Sequence, residues 1–531
     1  MANGKKQSFW GGAAVLAAGI AIVKVIGALF KIPLGNILGE AGTADFNNAY
    51  NIYATFLNIS TAGLPGALSK MVSEANTLGR TRQVRRIFRV SLSAFLLLGA
   101  LSFTLMWFGN DMLAGLLNNE RAAHGIRALA PAVVCVGCLS AFRGYAQGNF
   151  RMTPTAVSQI LEALCKLFVG LGLAAYLLHL GFPDYIAAAG AIWGVTIGTI
   201  LALAYMLVNF LRTRAAEKVT SNDTPDPDSA ILRRLLSIAV PITLSSCMVS
   251  VITLIDTSLV QGQLQNALGY SLDKTRVLYG TYASGMNLYN LPASFMVALT
   301  SSIIPAVSAA LARRDSRGAA SIVESSLRIT GLLAFPMAVG LAVMAQPIML
   351  LLYPKYDSVL GGSLLSVLGV ASAFVSIMLI SNSILQAHGH PNLPVVTMLV
   401  GGIAKIIVNY NLVAIPSVNI HGAPVGTLLC FAIAALANLF LVRRIMPTAP
   451  RYLPLFIKPL AASLIMGIFA RGVYAVLCGA LSLPNAIGTI GAVGAAVVVY
   501  LVLVIIFRVI TAEDLALLPK GAKIGRILRI K

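Results

Sequence analysis

A lysine inside a membrane must either find an anion or reach back to water. The stretch VKVIGALFKIPLG, Val23 to Gly35, carries Lys24 and Lys31 within a long apolar run. A charge in the middle of a span costs at least a few kcal/mol. Counted from the start of that run, Lys24 lies about 15 residues in, or ~22 Å at ~1.5 Å per residue, too deep to snorkel comfortably. Lys31 follows two helical turns later on the same face, nearer the outer surface. Two readings of Lys31 stand: it snorkels to the outer headgroups, or it joins Lys24 in a cationic stripe along an aqueous cavity. For Lys24 the rival to the cavity is a buried salt bridge. Only the cavity explains why both lysines share a face, and the chemistry it would do is to neutralise a passing anion.

Other polar residues fall in the neighbouring runs. Asn47, Asn51 and Asn58 share one face, with Asn48 beside them and Asp45 at the outer start of their run. Asn287 and Asn290 stand just before Pro292, and Asp256 lies in the preceding run. These residues either line the same cavity and meet a substrate or hydrogen-bond one helix to another. Glu162 and Lys166 are spaced i, i+4 and so suited to neutralise each other. The alternative is a proton or cation site for coupling, with Asp256 as a further candidate.

Several chemistries are excluded. The sequence holds no GxxxxGK[ST], HExxH or GxSxG, and its five histidines are scattered, with the HGH at 388–390 reading as solvated loop. All six cysteines lie in apolar runs; Cys135 and Cys138 form a CxxC that reads as buried thiols rather than a disulfide or zinc site. A polyprenyl-phosphate glycosyltransferase would need an Asp-rich metal motif, which the chain lacks. Neither an enzyme nor a metal or organic cofactor is expected. Transport would draw on an ion gradient, the membrane potential or the substrate's own gradient.

The elements that position these residues follow from composition. With 58% hydrophobic and 11% charged residues and a mean hydropathy of +0.84, the chain is an integral membrane protein. Its net charge of +21 is spread in short clusters between apolar runs, which points to the anionic cytoplasmic leaflet rather than to nucleic acid. Fourteen apolar runs are long enough to span, among them 9–34, 45–72 and 278–310. Alternate loops carry the Lys and Arg excess, for example Arg80, Arg82, Arg85 and Arg86, then Arg212 and Lys218, then Arg313 and Arg314, then Arg443 and Arg444. A basic tail, Lys520 to Lys531, continues the pattern, so both termini are expected in the cytoplasm of a bacterial cell, with the chain in the plasma membrane. Lys274 and Arg276 are the exception, since they sit on the opposite side.

The linker EKVTSNDTPDPDS, Glu217 to Ser229, divides the first twelve spans into six and six. LPGALSK at 64–70 matches IPAVSAA at 304–310, and QGNFRMTPTAVSQILEALCK at 147–166 matches QAHGHPNLPVVTMLVGGIAK at 386–405, both at an offset of about 239. A shared offset indicates two six-helix lobes related by a parallel repeat. The expected architecture is therefore all-α and polytopic, with 14 transmembrane helices. Residues 1–212 form the first lobe, 213–229 the linker, 230–447 the second lobe, and 448–531 two further helices with the tail.

The stretch KVIGALFKIPLGNILGEAGTADFNNAYNIY, followed by AGLPGALSKMVSE, resembles the MurJ and SpoVB-like branch of the multidrug/oligosaccharidyl-lipid/polysaccharide (MOP) exporter superfamily. The resemblance implies a V-shaped pair of lobes and a groove for a polyprenyl tail at the last two helices. It also implies flipping of an undecaprenyl-diphosphate-linked sugar, chiefly lipid II, with a cation-coupled drug antiporter or another lipid-linked polysaccharide exporter as alternatives. By the same resemblance Lys24 matches a basic position assigned to the substrate and Asp45 an acidic one at the outer end. Lys31 stands beside a second basic position, occupied here by Phe30, and Asn287 replaces an arginine. The expected partners are the lipid-linked saccharide, anionic lipids and proteins of wall synthesis; a non-transporting scaffold for those proteins is a further rival.

Overall fold

The computed structural model describes residues 9–61, 63–216, 223–446 and 450–509. Lys5 and Lys6, residues 217–222 of the linker and the basic tail lie outside the described residues. Those described are helical with short connections, and no strand occurs among them. Hydrocarbon leaves no alternative short of a closed barrel, because each backbone N–H and C=O must be satisfied within the segment.

Among the described residues, twelve stretches are long and apolar enough to cross a membrane, against the fourteen expected from the sequence. Runs 9–34 and 45–72 fall on one stretch, Ile22–Thr77, and run 278–310 falls on the helix Leu272–Ala312, which is not among the twelve.

The chain forms two compact units, Met1–Gly280 and Thr281–Lys531. The first contains α1 (Phe9–Thr61), α2 (Leu64–Thr77), α3 (Thr81–Phe108), α4 (Asn110–Leu116), α5 (Ala123–Gly148), α6 (Thr153–Cys165), α7 (Leu171–His179), α8 (Asp184–Ala216), α9 (Asp228–Gly262) and the start of α10 (Leu272–Ala312). The second holds the rest of α10 with α11 (Ser316–Val343), α12 (Ala345–Leu352), α13 (Ser358–Ala387), α14 (Leu393–Val413), α15 (Gly422–Ile445), α16 (Tyr452–Tyr474) and α17 (Asn485–Ile506). The boundary between the units falls inside α10, past the linker at which the internal repeat divides.

In the first unit α1 breaks at Gly39, whose φ of 70° and ψ of −175° lie outside the helical region. A positive φ there suits glycine, which has no Cβ to clash. The break turns one helix into two limbs, 9–38 and 40–61, and frees the second to pack along α9. Phe30, Phe46 and Tyr53 of the limbs bury against Ile126 and Leu129 of α5 and Ile192 of α8. The linker is bound as well. Asp223 accepts from the backbone N–H groups of Arg82 and Gln83 in the first turn of α3, at 3.0 and 2.9 Å, supplying a cap and a charge that favours that helix end.

In the second unit α16 and α17 pack on α11 and α12 through Met344, Ala462, Met466, Ala492 and Tyr500, whose hydroxyl donates to the Leu332 carbonyl at 2.7 Å. Their outward faces carry Ile468 and Val498, 75% and 62% exposed, which acyl chains would cover in a bilayer.

At the start of α10, Gly280 lies against the break in α1: a Cβ there would sit 1.8 Å from the Glu40 carbonyl oxygen. Gly280→Ala is expected to lose about 1–3 kcal/mol through this clash. Gly66→Ala, which meets open space, is the matched control. Thermal unfolding of the detergent-purified protein should show a lowered midpoint for the first and not the second.

Candidate functional site

Lys24 and Lys31 lie on the first limb of α1, which packs on α6 in the first unit. α6 continues through one π-helical turn, Lys166–Gly170, into α7, and Lys166 heads that turn. Its Nζ lies 4.5 Å from the ring centroid of Tyr50 and 4.8 Å from that of Phe30. Ring faces stabilise a desolvated ammonium by about 2 kcal/mol or more. α1 packs on both α6 and this π-helical turn. Lys24 is exposed and Lys31 half-buried.

Glu162, one turn before Lys166, does not form the expected i, i+4 pair. Its Oε2 accepts from Nη2 of Arg143 on α5 at 3.1 Å, while Arg143 Nε donates to the Ser158 hydroxyl at 2.9 Å. The planar guanidinium reaches two partners one turn apart on α6, which a lysine ammonium on the same helix cannot match. The carboxylate is thereby held toward α5.

Asp45 sits in a separate ionic knot. Arg276 Nε donates to Asp45 Oδ1 at 3.0 Å and its Nη2 to Oδ2, so the pair is bidentate. The same guanidinium reaches Asp184 Oδ2 at 2.9 Å and Asp273 Oδ1 at 3.0 Å, and Asn119 Nδ2 donates to Asp45 Oδ1 at 2.9 Å. Arg276 and Asp45 are each only 2% exposed. The basic pair that broke the loop-charge pattern is so explained: Arg276 is neutralised by carboxylates of three segments, and Lys274 Nζ lies 3.4 Å from the Tyr270 ring centroid.

The asparagines of the second limb of α1 meet α9. Asn48 exchanges hydrogen bonds with Gln261 at 3.0 and 3.2 Å, Asn51 donates to Thr257 Oγ1 at 3.2 Å, and Asn58 donates to Ser250 Oγ at 2.6 Å. This ladder follows the helix-to-helix alternative. Asn47 donates to its own helix, at the Thr43 carbonyl, 2.8 Å away. Asp256 is buried on α9. Asn287 and Asn290 belong to the second unit, where Asn290 is exposed and donates to the Met286 carbonyl at 2.8 Å.

Arg143, Asn119, Asp184 and Gln261 were not singled out by sequence reasoning. Arg143 had a signal, being an arginine well inside a long apolar helix. Arg276 also had one, as a cation on the side of the chain poor in them.

Comparison with known proteins places this geometry. The polysaccharide biosynthesis protein pattern matches residues 9–311. The chain belongs to that family. A second pattern, MatE, matches residues 241–411. Among curated proteins of Bacillus subtilis (strain 168), the chain is 25% identical over 530 residues to the uncharacterized membrane protein YabM, covering 99% of this chain and 97% of that one. It is 24% identical to the lipid II flippase MurJ, with 82% of each chain covered, and 23% identical to stage V sporulation protein B, with 98% and 99% covered. Of solved structures, lipid II flippase MurJ in an inward closed conformation matches with a TM-score of 0.69 at 14% identity, covering 93% of this chain and 98% of that one. An inward-facing MATE-family multidrug transporter of the MOP superfamily matches with a TM-score of 0.67 at 14% identity, covering 82% and 98%. The fold is thus that of MATE and MurJ proteins, and this member of the polysaccharide biosynthesis family is a multi-pass membrane protein.

The knot has a measurable weight. Asp45→Ala leaves Arg276 buried with Asp184 and Asp273 alone and should cost about 3 kcal/mol, at the low end for a broken buried pair. Arg276→Met strands the carboxylates and should cost at least as much. The Asp45→Leu/Arg276→Met pair should cost less than the sum of its single substitutions, read as unfolding midpoints in a double-mutant cycle.

Proposed function

We propose that the protein is a flippase that carries an undecaprenyl-diphosphate-linked cell-wall precursor, most of all lipid II, from the inner to the outer leaflet of the bacterial plasma membrane by alternating access. The observation that carries this reading is the basic character of the first unit's packed helices, with Lys24 and Lys31 on α1 and Lys166 at the turn after α6, while Glu162 is held by Arg143. A diphosphate passing through a partly dehydrated space needs cations there, and attraction at low effective dielectric offsets the cost of burying them. A carrier of cationic drugs would need accessible carboxylates instead. Of the three candidates, Glu162 and Asp45 are engaged by arginines and Asp256 is buried on α9.

In this scheme the exposed Lys24 meets the headgroup first and Lys31 extends the stripe. The Arg276 knot fastens the start of α10 to the break in α1, and it opens and re-forms as the headgroup leaves on the outer side. Both termini face the cytoplasm, with the basic loops against anionic lipids, and an ion gradient or the membrane potential drives the cycle. Likeness to a named lipid II flippase and to a sporulation protein of Bacillus subtilis supports a wall-precursor substrate.

The test is replacement of an essential lipid II flippase by this gene in cells depleted of their own. The wild type is expected to sustain growth, and Lys24→Ala to fail while reaching the membrane at equal level. Failure of the wild type would count against lipid II as the substrate, and growth with Lys24→Ala would remove Lys24 from the mechanism.

A further inference from the structure

The segment Asp223 to Asp228 of the linker lies as a strap across the start of α3, held by three aspartates that are engaged unequally. The Asp223 side chain, 10% exposed, caps the first turn of α3 as described above. Asp226 is paired with the buried Gln83: its N–H donates to Gln83 Oε1 at 2.7 Å, and its Oδ2 accepts from Nε2 at 2.8 Å. The arginine contacts lie nearer to solvent. Arg80 Nη2 donates to Asp226 Oδ1 at 3.1 Å and to the Thr224 carbonyl at 2.8 Å, and Arg86 Nε donates to Asp228 Oδ1 at 2.6 Å. The Asp226 and Asp228 side chains are 45% and 65% exposed. Ion pairs so exposed are weak and screened by salt. The strap therefore keeps its place through Asp223 and Gln83, while its arginines are free to exchange one anion for another.

Beside the strap is a cavity of about 500 Å³ between α2, the start of α3 and α9. Lys70, Arg80 and Arg234 give its lining three cations, and Glu74 and Asp226 give it two carboxylates. Arg234 Nη2 donates to Glu74 Oε2 at 2.6 Å, so that pair is internally satisfied. Lys70 is exposed and forms no ion pair among the described residues. Lys70 and Arg80 are thus the cations that a ligand could take, the second at the expense of Asp226. Leu78, also in the lining, is well exposed and adds apolar surface. Two membrane-length stretches flank the cavity, one ending at Thr77 and one beginning at Thr81, which sets it at the level of lipid headgroups. Cations beside apolar surface at that level match an amphiphile with an anionic head; a soluble anion would gain nothing from Leu78.

We propose that this cavity binds the headgroup of an anionic phospholipid on Lys70 and Arg80, and that Asp226 of the strap is the internal anion the headgroup displaces from Arg80. The proposal deepens, and rests on, the reading that the basic loops lie against anionic lipid. A guanidinium that leaves an exposed carboxylate for a phosphate exchanges one charge-assisted hydrogen bond for another, so occupancy follows the density of anionic lipid at the surface. Asp228 holds Arg86, which is not part of the lining, and so does not compete.

Binding of a soluble short-chain phosphatidylglycerol to the full-length protein in neutral detergent tests this, with short-chain phosphatidylcholine and inorganic phosphate as comparison probes. The wild type should bind phosphatidylglycerol more tightly than either. Lys70→Gln and Arg80→Gln should each weaken binding at least about fivefold, while Arg80→Lys, which keeps the cation, should stay within about threefold of the wild type. Asp226→Asn should tighten binding at least about threefold, and Asp228→Asn, with the same change of net charge, should leave it within about twofold. Equal tightening by the two aspartate variants would show general charge attraction and overturn the proposal, as would Arg80→Gln without effect. Inorganic phosphate bound as tightly as phosphatidylglycerol would overturn the assignment to a lipid. If the wild type does not distinguish phosphatidylglycerol from phosphatidylcholine, the reading of the basic loops itself fails. If it does and Asp226→Asn changes nothing, only the role of the strap fails.

Discussion

Arg276 must be neutralised where it is buried, and much of the first unit is arranged so that it can be. Removing a guanidinium from water costs several kcal/mol, which is recovered only when carboxylates meet it in good geometry. Asp45 comes from the second limb of α1, Asp184 from the first turn of α8 and Asp273 from the start of α10 itself. For Asp45 to arrive, α1 has to break at Gly39, and for Arg276 to arrive, Gly280 has to let α10 press on the Glu40 carbonyl. The asparagine ladder then runs along α9 from Gln261 to Ser250, which ties that helix to α1 and accounts for its membership of the first compact unit.

The lysine neighbourhood obeys a different rule. Arg276 has three carboxylates, while Lys166 lies over two aromatic rings. A buried arginine takes carboxylates in one place, and the carboxylate one turn before Lys166 is tied to another arginine from a neighbouring helix. The transporter fold and the flippase reading meet at this point.

Much of this was legible in the sequence, but unevenly. Apolar length marked most helices, because a span must be continuous and apolar whatever packs against it. The first two runs fused into one stretch because the residues between them, Gly35 to Ala44, are helical except at Gly39, and a single dihedral break leaves little trace in hydropathy. Lys24, Lys31 and Asp45 could be picked out as charges in the wrong solvent. The partners of Asp45 and Glu162 could not, since Arg276 lies 231 residues from the first and Arg143 19 residues from the second. The asparagines show the same limit: a shared face is visible in their spacing, but whether that face meets water or another helix is not.

By itself the sequence determined the class of protein, a helical multi-pass membrane protein, and the few positions where charge in hydrocarbon demanded a reason. Those conclusions depend on solvent and periodicity, which act locally along the chain. Which charge meets which was decided only by tertiary structure. Glu162 had Lys166 one turn away and was taken by Arg143 from another helix, and Lys274 and Arg276, alike in sequence as two misplaced cations, ended over a tyrosine ring and in a carboxylate knot. The physical reason is that electrostatic pairing in a low dielectric depends on distance in space and on desolvation, and neither is a property of neighbours in sequence.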